Sequence, residues 1–555
     1  MKNLSSVAKG IFLVFFRFLF SITVLILVGC STDVEPEEKE EQEEIVEEEV
    51  VINPNQVVAI NTGSVVGEIY NFWSTRPMVN QTRFRNSNFT QSIQAIRDYV
   101  KNYNLVRVLG GRLDDRNQFY QGVDSNGDVI ADFSGLLSDL RNLKQAGFQP
   151  RIVLDNVPWN MSLPRVEDEY GNSKPPINYD IWRQYINKFL NALIDEFGIT
   201  EVETWRFRVA TEPNFSPNHW RGSVNDYFRH YDITVDEVLK VIPNAIVGPG
   251  NNLTEGIATF TTELIEHCAN GTNLATGNKG TQMDFFSISY YEKIDQNTVR
   301  LPEEISQYRD ALNSAGYGGI PLDIQEFGIL RDENAQRGLS STDGTEFGAS
   351  WYATIADMAF EYGITEIYNW GQEIEASDLP QGIKHVTSMF LKMEGGNRLS
   401  TADSFTGHTG IIPATRNGSI YLLLYNHNTS RTSQSQRTMF PQIEGAEISA
   451  GASWTMSEWT VDQDNGIMMH ELYKDLRASG VSEDNNGRIY GNRPSDRFGD
   501  GWEDVLNANL AKYQMMAELP QTITDSVVTV DDNGKLTLKV DMEPHAVKLI
   551  ELIPE

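Results

Sequence analysis

Cysteine is almost missing from this chain: Cys30 and Cys268 are the only two in 555 residues, and their settings differ too much for a structural disulfide between them to be expected. Stability must come from burial. Positive charge is also in short supply, with 45 Lys and Arg against 77 Asp and Glu and a formal net charge of -32. Such a surface repels phosphates, which excludes nucleic acid and an anionic-lipid-binding face as partners. Histidines are few, eight in all, and His219, His230 and His267 lack metal-ligand spacing. Asp124, Asn126 and Asp128 form Asp-Ser-Asn-Gly-Asp, which reads as a turn because no Glu stands at the twelfth position of a calcium loop. No metal and no cofactor is expected, and no internal repeat of solenoid length occurs.

What is present reads as a globular protein: 40% hydrophobic and 22% charged residues, with a length that exceeds one ordinary core and predicts more than one folded unit. Lys2, Lys9 and Arg17 precede an apolar run from Phe18 to Gly29, and the run ends in Leu27-Val28-Gly29-Cys30. This is the layout of a secretory signal, and its ending resembles the lipobox of bacterial lipoproteins, in which the cysteine becomes the lipidated first residue. An uncleaved transmembrane anchor over Ile11 to Gly29 is the competing reading. From Ser31 to Val50 the chain carries eleven Asp or Glu and one Lys, too little apolar surface to fold. The expected organisation is therefore a lipoprotein signal at 1–30 and an acidic tether at 31–54. The acidic stretch after the cysteine resembles a surface-export signal of Gram-negative lipoproteins, which implies a lipid-anchored outer-membrane protein, with the periplasmic side as the alternative. Membrane contact is expected only through a lipid on Cys30.

Beyond the tether, β-type apolar runs alternate with helical periodicity, the pattern of a parallel sheet with crossover helices. Eight strands are predicted: Ser64 to Trp73, Leu105 to Gly110, Pro150 to Asn156, Glu203 to Ala210, Ala245 to Gly250, Met283 to Tyr291, Pro321 to Phe327 and Glu366 to Trp370. One intervening helix repeats Trp182, Tyr185, Ile186, Phe189, Leu190 and Leu193, with Asp180 placed to cap its start and Gly198 to end it. Another carries Leu136, Leu140 and Leu143 and stops at Gly147. The fold class is α/β: a (β/α)8 TIM barrel over 55–395, with its site at the C-terminal strand ends. Short alternating strands after Gly395, among them Ser419 to Tyr425, Ser453 to Val461 and a Val527 to Val540 pair joined through Asp531-Asp532-Asn533-Gly534, predict a C-terminal β-sandwich accessory domain over 396–555.

Two glutamates fall at predicted strand ends. Glu212 follows Trp205-Arg206-Phe207-Arg208-Val209-Ala210 and precedes Pro213, where the strand must stop. Glu326 ends Leu322-Asp323-Ile324-Gln325. Retaining glycoside hydrolysis requires such a pair, one protonated and one ionised, about 5–5.5 Å apart.

The segment WRFRVATEPNF, Trp205 to Phe215, resembles the strand-four acid/base motif of glycoside hydrolase clan A, and IQEFG, Ile324 to Gly328, resembles its strand-seven nucleophile motif. Within the clan the resemblance is to glycoside hydrolase family 39, the β-xylosidase and α-L-iduronidase family. It extends through LVRVLGGRLDD, EFGITEVETWRF and MDFFSISYYE, and into SEWTVDQDNGIMMHELYKDLRASG and EPHAVKLIELIP. The resemblance implies that Glu212 is the acid/base and Glu326 the nucleophile. It further implies that Arg107 supports the nucleophile, that Tyr290 or Tyr291 hydrogen-bonds it, and that Trp370 forms a platform under the sugar. Trp73, Trp159 and Trp220 are candidate stacking faces or simple packing. Cys268 is expected to be a buried small residue on the helix Thr261 to His267.

Two departures from the family pattern bear on substrate. Thr211 stands where clan members carry an Asn that hydrogen-bonds the sugar 2-hydroxyl, and Arg208 stands where the xylosidase motif carries Glu. They point away from a plain xyloside and toward a sugar substituted near C2 or anionic. The expected function is a retaining hydrolase of a plant or algal polysaccharide or its oligosaccharides, with carbohydrate as partner. The alternatives are an endo-acting clan A glycanase and a catalytically silent glycan-binding lipoprotein.

Overall fold

The computed structural model describes residues 56–166, 170–254, 259–293, 300–330, 344–370, 374–375, 379–401, 409–483 and 498–555. The signal run, Cys30 and the acidic tether lie outside the described residues. No described helix is long and apolar enough to cross a membrane.

The first strand, β1 (Val57–Glu68), corrects a sequence expectation. It pairs antiparallel with Asn397–Thr401 and parallel with Arg437–Glu444, so residues 57–68 belong to the C-terminal sheet and not to the barrel. The apolar signal read as a barrel strand comes from the segment that follows it: Trp73 is fully buried, stacked on Phe390 at 5.7 Å and edge-on to Phe72, filling the layer between barrel and helix. Trp73 is therefore core packing and offers no face to a sugar.

The barrel strands proper are β2 (Thr75–Met78), β3 (Asn102–Leu105), β4 (Gln149–Leu154), β5 (Arg206–Val209), β6 (Ile246–Pro249), β7 (Phe286–Lys293), β8 (Leu322–Leu330) and β9 (Ile367–Asn369). Neighbours from β2 to β6 and from β7 to β9 pair in parallel. Asn252–Leu253, just after β6, pairs with β7, and the Ile367 N–H donates to the Phe72 carbonyl at 2.8 Å between β9 and the lead into β2. Seven of these strands overlap the sequence expectation.

Helices seal the outside. In Tyr179–Phe197 the six residues expected to form the apolar stripe are all buried. The start is capped by Asn178, whose side chain accepts from the backbone N–H groups of Asp180 and Ile181 at 2.8 and 3.4 Å. Asp180 instead sits in the first turn, where its charge suits the helix dipole. Gly198 ends the helix at φ 80°, a conformation that side chains resist. Cys268 is buried on Thr259–Asn270.

The barrel interior is not filled by branched aliphatics. Arg151 grips Glu366 through two hydrogen bonds of 2.6 and 2.8 Å and touches Tyr368, while Arg206 pairs with Asp323 at 2.7 Å. Arg208 lies on the same face of β5 as Arg206, and both carry their charge into the barrel.

In the C-terminal sheet the strand order places Gln521–Thr529 at one end and Leu536–Thr537 at the other, although only 530–535 joins them. The sheet must fold over on itself, and it encloses a core of Ile60, Leu422, Leu424, Trp454, Ile550 and Leu552, among others. The Asp531-to-Gly534 turn forms as expected, with Asp531 accepting from the Asn533 and Lys535 N–H groups at 2.9 and 2.8 Å. It links two strands paired with different partners, so it is not the turn of a simple hairpin.

Barrel and sheet meet along the helix Glu346–Tyr362. Phe347 packs against His427 and His545, Ser350 hydrogen-bonds His427 at 3.0 Å, and Tyr425 donates to Asp357 at 2.7 Å. Burial pushes Asp357 up to about 6, against the opposing effects of the Tyr425 hydroxyl and Arg398. A raised carboxyl pKa contributes stability that is full below the unfolded value and lost as pH rises through the folded one. Asp357→Asn is therefore expected to gain stability relative to wild type between about pH 4 and 6, by on the order of 1–3 kcal/mol, with a plateau above. Thermal unfolding of both proteins across that range checks it, and a pH-independent difference would contradict it.

Candidate active site

On β5, Phe207 and Val209 face the helices and Arg208 faces inward. The alternation then stops, because Ala210 and Glu212 have φ of 70° and 41°. Left-handed backbone at a non-glycine residue costs about 1–2 kcal/mol, and such strain gathers at functional sites. The loop is held from outside: Asn214 both donates to the Leu253 carbonyl and accepts from its N–H at 2.9 Å. Gly250 lies so close to Pro213 that a Cβ there would come within 2.8 Å of the ring.

Glu326 reaches the interior by a different device. The β7–β8 register shifts between Ile288, opposite Ile324, and Ser289, opposite Glu326, so one extra residue is accommodated at Gln325. Strict alternation would turn Glu326 toward the helices with Ile324. The bulge resets the phase, and Phe327 then faces outward, stacked on Trp351 at 4.0 Å.

Both carboxyl groups are buried, Glu212 at 5% and Glu326 at 6% exposure. Burial first, and then the charge of Glu326, pushes Glu212 up to about 8. Burial also raises Glu326, but Arg208, Arg107, the Tyr291 hydroxyl and the Asn251 amide all favour its ionised form. Tyr291 donates to Glu326 at 3.0 Å, and Asn251 donates to Ser289, which hydrogen-bonds Glu212. Both carboxyl groups are raised by burial, but the neighbouring charge pushes Glu212 further up while the neighbours of Glu326 oppose its rise.

Among the residues expected at the site, the tyrosine choice is resolved. Tyr291 faces the carboxylates, while Tyr290 is fully buried in the outer core with the Arg300 guanidinium 5.6 Å from its ring centre. Arg107 lies at φ 60° with its guanidinium over the Tyr170 ring at 5.2 Å, electrostatically coupled to both glutamates. Trp370 is half-buried at the end of β9, its backbone N–H donating to the Phe327 carbonyl at 2.8 Å. Thr211 lines the same cavity as Arg107, and its hydroxyl accepts from Arg208 at 2.9 Å and donates its proton to Asp155 at 2.5 Å, so it can meet a ligand only as an acceptor. Trp159 is corrected, since its N–H bonds the Arg112 carbonyl at 3.1 Å and Arg165 covers its face at 4.1 Å. Trp220 borders a cavity with Arg107, Asp155, Tyr170, Thr211 and His219. Its N–H nevertheless bonds Ser223 at 3.2 Å and its ring packs on Tyr227.

Sequence reading missed Asp155, Asn251, Ser289 and His219. Asp155 follows β4 and also accepts from the Arg107 N–H at 2.6 Å, and burial raises its pKa. The His219 Nδ1 lies 3.2 Å from the second Glu212 oxygen. Asp155 could have been suspected as an acid at a strand end; the other three carry no local signal. Among the described residues no group of three or more His, Cys, Asp or Glu is arranged to hold a metal.

Comparison with known proteins places this geometry in context. The family model described as glycosyl hydrolases family 39 matches residues 56–315. The chain is 24% identical over 290 residues to an alpha-1,4-L-rhamnosidase of Formosa agariphila, covering 48% of this chain and 57% of that protein. It is 25% identical over 224 residues to a beta-xylosidase of Geobacillus stearothermophilus, covering 39% and 43%. The matches thus span about half the length of these relatives. A monomeric beta-xylosidase structure from Caulobacter crescentus CB15 superposes with a TM-score of 0.65 at 15% identity, over 90% of this chain and 99% of that one. The GH39 enzyme from Xanthomonas axonopodis pv. citri gives 0.67 at 13% identity, over 90% and 97%. These likenesses establish the (β/α)8 fold.

The electrostatics of the pair yield a direct expectation. Glu326→Gln removes the charge that helps raise Glu212, so Glu212 should titrate below about 8 in the variant. Side-chain carboxyl NMR of selectively labelled protein checks it; an unmoved Glu212 titration would mean the two groups are not neighbours.

Proposed function

We propose, from the premise that residues 56–315 belong to glycosyl hydrolases family 39, that this chain hydrolyses O-glycosidic bonds with retention of configuration through Glu212 and Glu326. The observation that carries the reading is two buried glutamates brought together inside one barrel in unequal settings: Glu212 pushed up to about 8 by burial and by the charge of Glu326, and Glu326, also raised by burial, facing Arg208, Arg107 and the Tyr291 hydroxyl, which oppose that rise.

In the first step the Glu326 carboxylate attacks the anomeric carbon while Glu212 gives its proton to the glycosidic oxygen. The carbon–oxygen bond breaks and the leaving group departs as an alcohol. Once Glu326 is esterified its negative charge is gone, and the second-largest influence raising Glu212 goes with it. Glu212 becomes a stronger acid at that moment, and therefore ends as the carboxylate that the second step needs. It takes a proton from water, the water oxygen bonds the anomeric carbon, and Glu326 is released.

The substrate class we assign is a plant or algal polysaccharide or its oligosaccharides, with a substituted or anionic sugar at the scissile bond. Two features support this: Arg107 borders a cavity with Thr211 and His219, and the Thr211 hydroxyl has its proton committed to Asp155. The relatives' names, a rhamnosidase and a xylosidase, supply the glycoside class. Trp370 is assigned as the platform beneath the sugar. The chain is further assigned to the outer membrane, held by a lipid on Cys30.

Glu212→Gln should lower kcat/KM, which reports the first bond-breaking step, by about 10²–10⁴ on natural glycosides and far less on aryl glycosides whose leaving group needs no proton, while kcat falls on both because the second step has lost its base. Product analysis on neutral and sulfated or uronic-acid glycans separates the outcomes: single sugars from chain ends indicate exo action, and mixed oligosaccharides indicate endo action. Absence of turnover by wild type on every glycan would identify a binding protein instead. Cys30→Ser should abolish incorporation of radiolabelled palmitate in a bacterial host; retained label would refute the anchor.

A further inference from the structure

Arg208 enters the reading above only through its charge on Glu326, and its hydrogen bonds do more. It sits on β5, four residues before Glu212, and is 2% exposed. Its Nη1 donates to the Gln325 Oε1 and its Nη2 to the Thr211 Oγ1, each at 2.9 Å. Gln325 immediately precedes Glu326, and Thr211 immediately precedes Glu212. One planar guanidinium therefore joins the two residues from which the two carboxylates spring.

Each partner is fixed in turn. Thr211 donates to Asp155 at 2.5 Å, and Asp155 accepts from the backbone N–H of Arg107 at 2.6 Å. The Gln325 amide donates to Asp323 at 3.3 Å, and Asp323 is paired with Arg206 at 2.7 Å. The amide therefore has one orientation, oxygen toward Arg208 and nitrogen toward Asp323. The network spans β4, β5, β8 and the loop after β3, and it lies beneath the carboxylates. With both terminal nitrogens engaged and almost no exposure, Arg208 is not a group that meets substrate.

We infer that Arg208 is a positioning residue: its fork sets the separation of Glu212 and Glu326, and its charge keeps Glu326 ionised between turnovers. The inference rests on the glycosidase reading above. The bulge at Gln325 makes the tie necessary, because an irregular strand no longer fixes where its side chains point. The groups facing Arg208 are Glu326, Asp155, Tyr368 and Glu212. Those facing Glu326 are Arg208, Arg107, Tyr291, Asn251 and Glu212. Glu212 is additionally faced by His219 and Ser289. Lysine can supply the charge but not the fork, since one ammonium on a flexible stem does not hold two acceptors in a fixed plane.

The test uses the full chain as wild type, R208K and R208M, with whichever 4-nitrophenyl glycoside of a neutral and uronic-acid panel wild type turns over fastest. R208M should lose about 100-fold in kcat with KM little changed, and the acidic limb of kcat/KM should move up by about one pH unit or more. R208K should keep the limb in place while kcat falls about ten-fold. An R208M limb that stays at the wild-type pH, or an R208K kcat equal to wild type, overturns the inference. A thermal double-mutant cycle with Glu326→Gln reads the same coupling without turnover: most of the drop in Tm caused by R208M should vanish once Glu326 is neutral. Additive drops in Tm overturn the role of Arg208 even if Glu326→Gln is inactive. Wild-type turnover by Glu326→Gln would instead overturn the two-glutamate reading on which the inference rests. If R208M does not fold, the R208K limb and kcat decide.

Discussion

Two carboxyl groups buried within electrostatic reach of each other are the condition to which the rest of the barrel is fitted. Neither can be charged cheaply away from water, and both cannot be charged together. The protein resolves the conflict by asymmetry. Glu326 receives a tyrosine hydroxyl and an amide and is the carboxylate most favoured by Arg208, while burial and the charge of Glu326 push Glu212 upward. Two identical side chains are thus given different electrostatic settings by their surroundings alone.

That asymmetry has a structural cost inside the barrel. The interior that other barrels fill with branched aliphatics carries Arg151, Arg206 and Arg208 here, each matched to a carboxylate or amide. Buried ions are tolerated only when paired and hydrogen-bonded, so the column is built as a chain of contacts from Glu366 and Asp323 up to the site. Residues near the top also depart from regular backbone. Arg107, Ala210 and Glu212 are left-handed, and β8 carries a bulge at Gln325. Regular strands alone would turn Glu326 away from Glu212.

The second unit of architecture stabilises the first through shared elements and not through a linker. The chain begins its described course as a strand of the C-terminal sheet, crosses into the barrel, and returns. The helix Glu346–Tyr362 belongs to the barrel on one side and meets Tyr425, His427 and His545 on the other. The helix Met469–Ala478, an excursion from the sheet, buries Leu472 and Leu476 in the same apolar cluster as the barrel helices.

Local pattern in the amino-acid sequence determined the alternation of strands and helices, the apolar stripe of Tyr179–Phe197, and the placement of Glu212 just past a strand end, because periodicity and chain-breaking residues act over a few neighbours. It placed Glu326 on the right strand but at its end, whereas the strand runs on to Leu330, and it marked Arg208 as a departure from the family pattern. Elsewhere it failed for identifiable reasons. The strand at Val57–Glu68 finds its partners about 330–380 residues away, and Trp159 looks available until the Arg112 carbonyl takes its indole N–H. The choice of Tyr291 over Tyr290, the unequal settings of the glutamates and the Arg208 bridge to Gln325 were decided only by tertiary structure. Side-chain facing after a bulge, and the charge state of a buried acid, are set by atoms far away in the chain that no local rule can see.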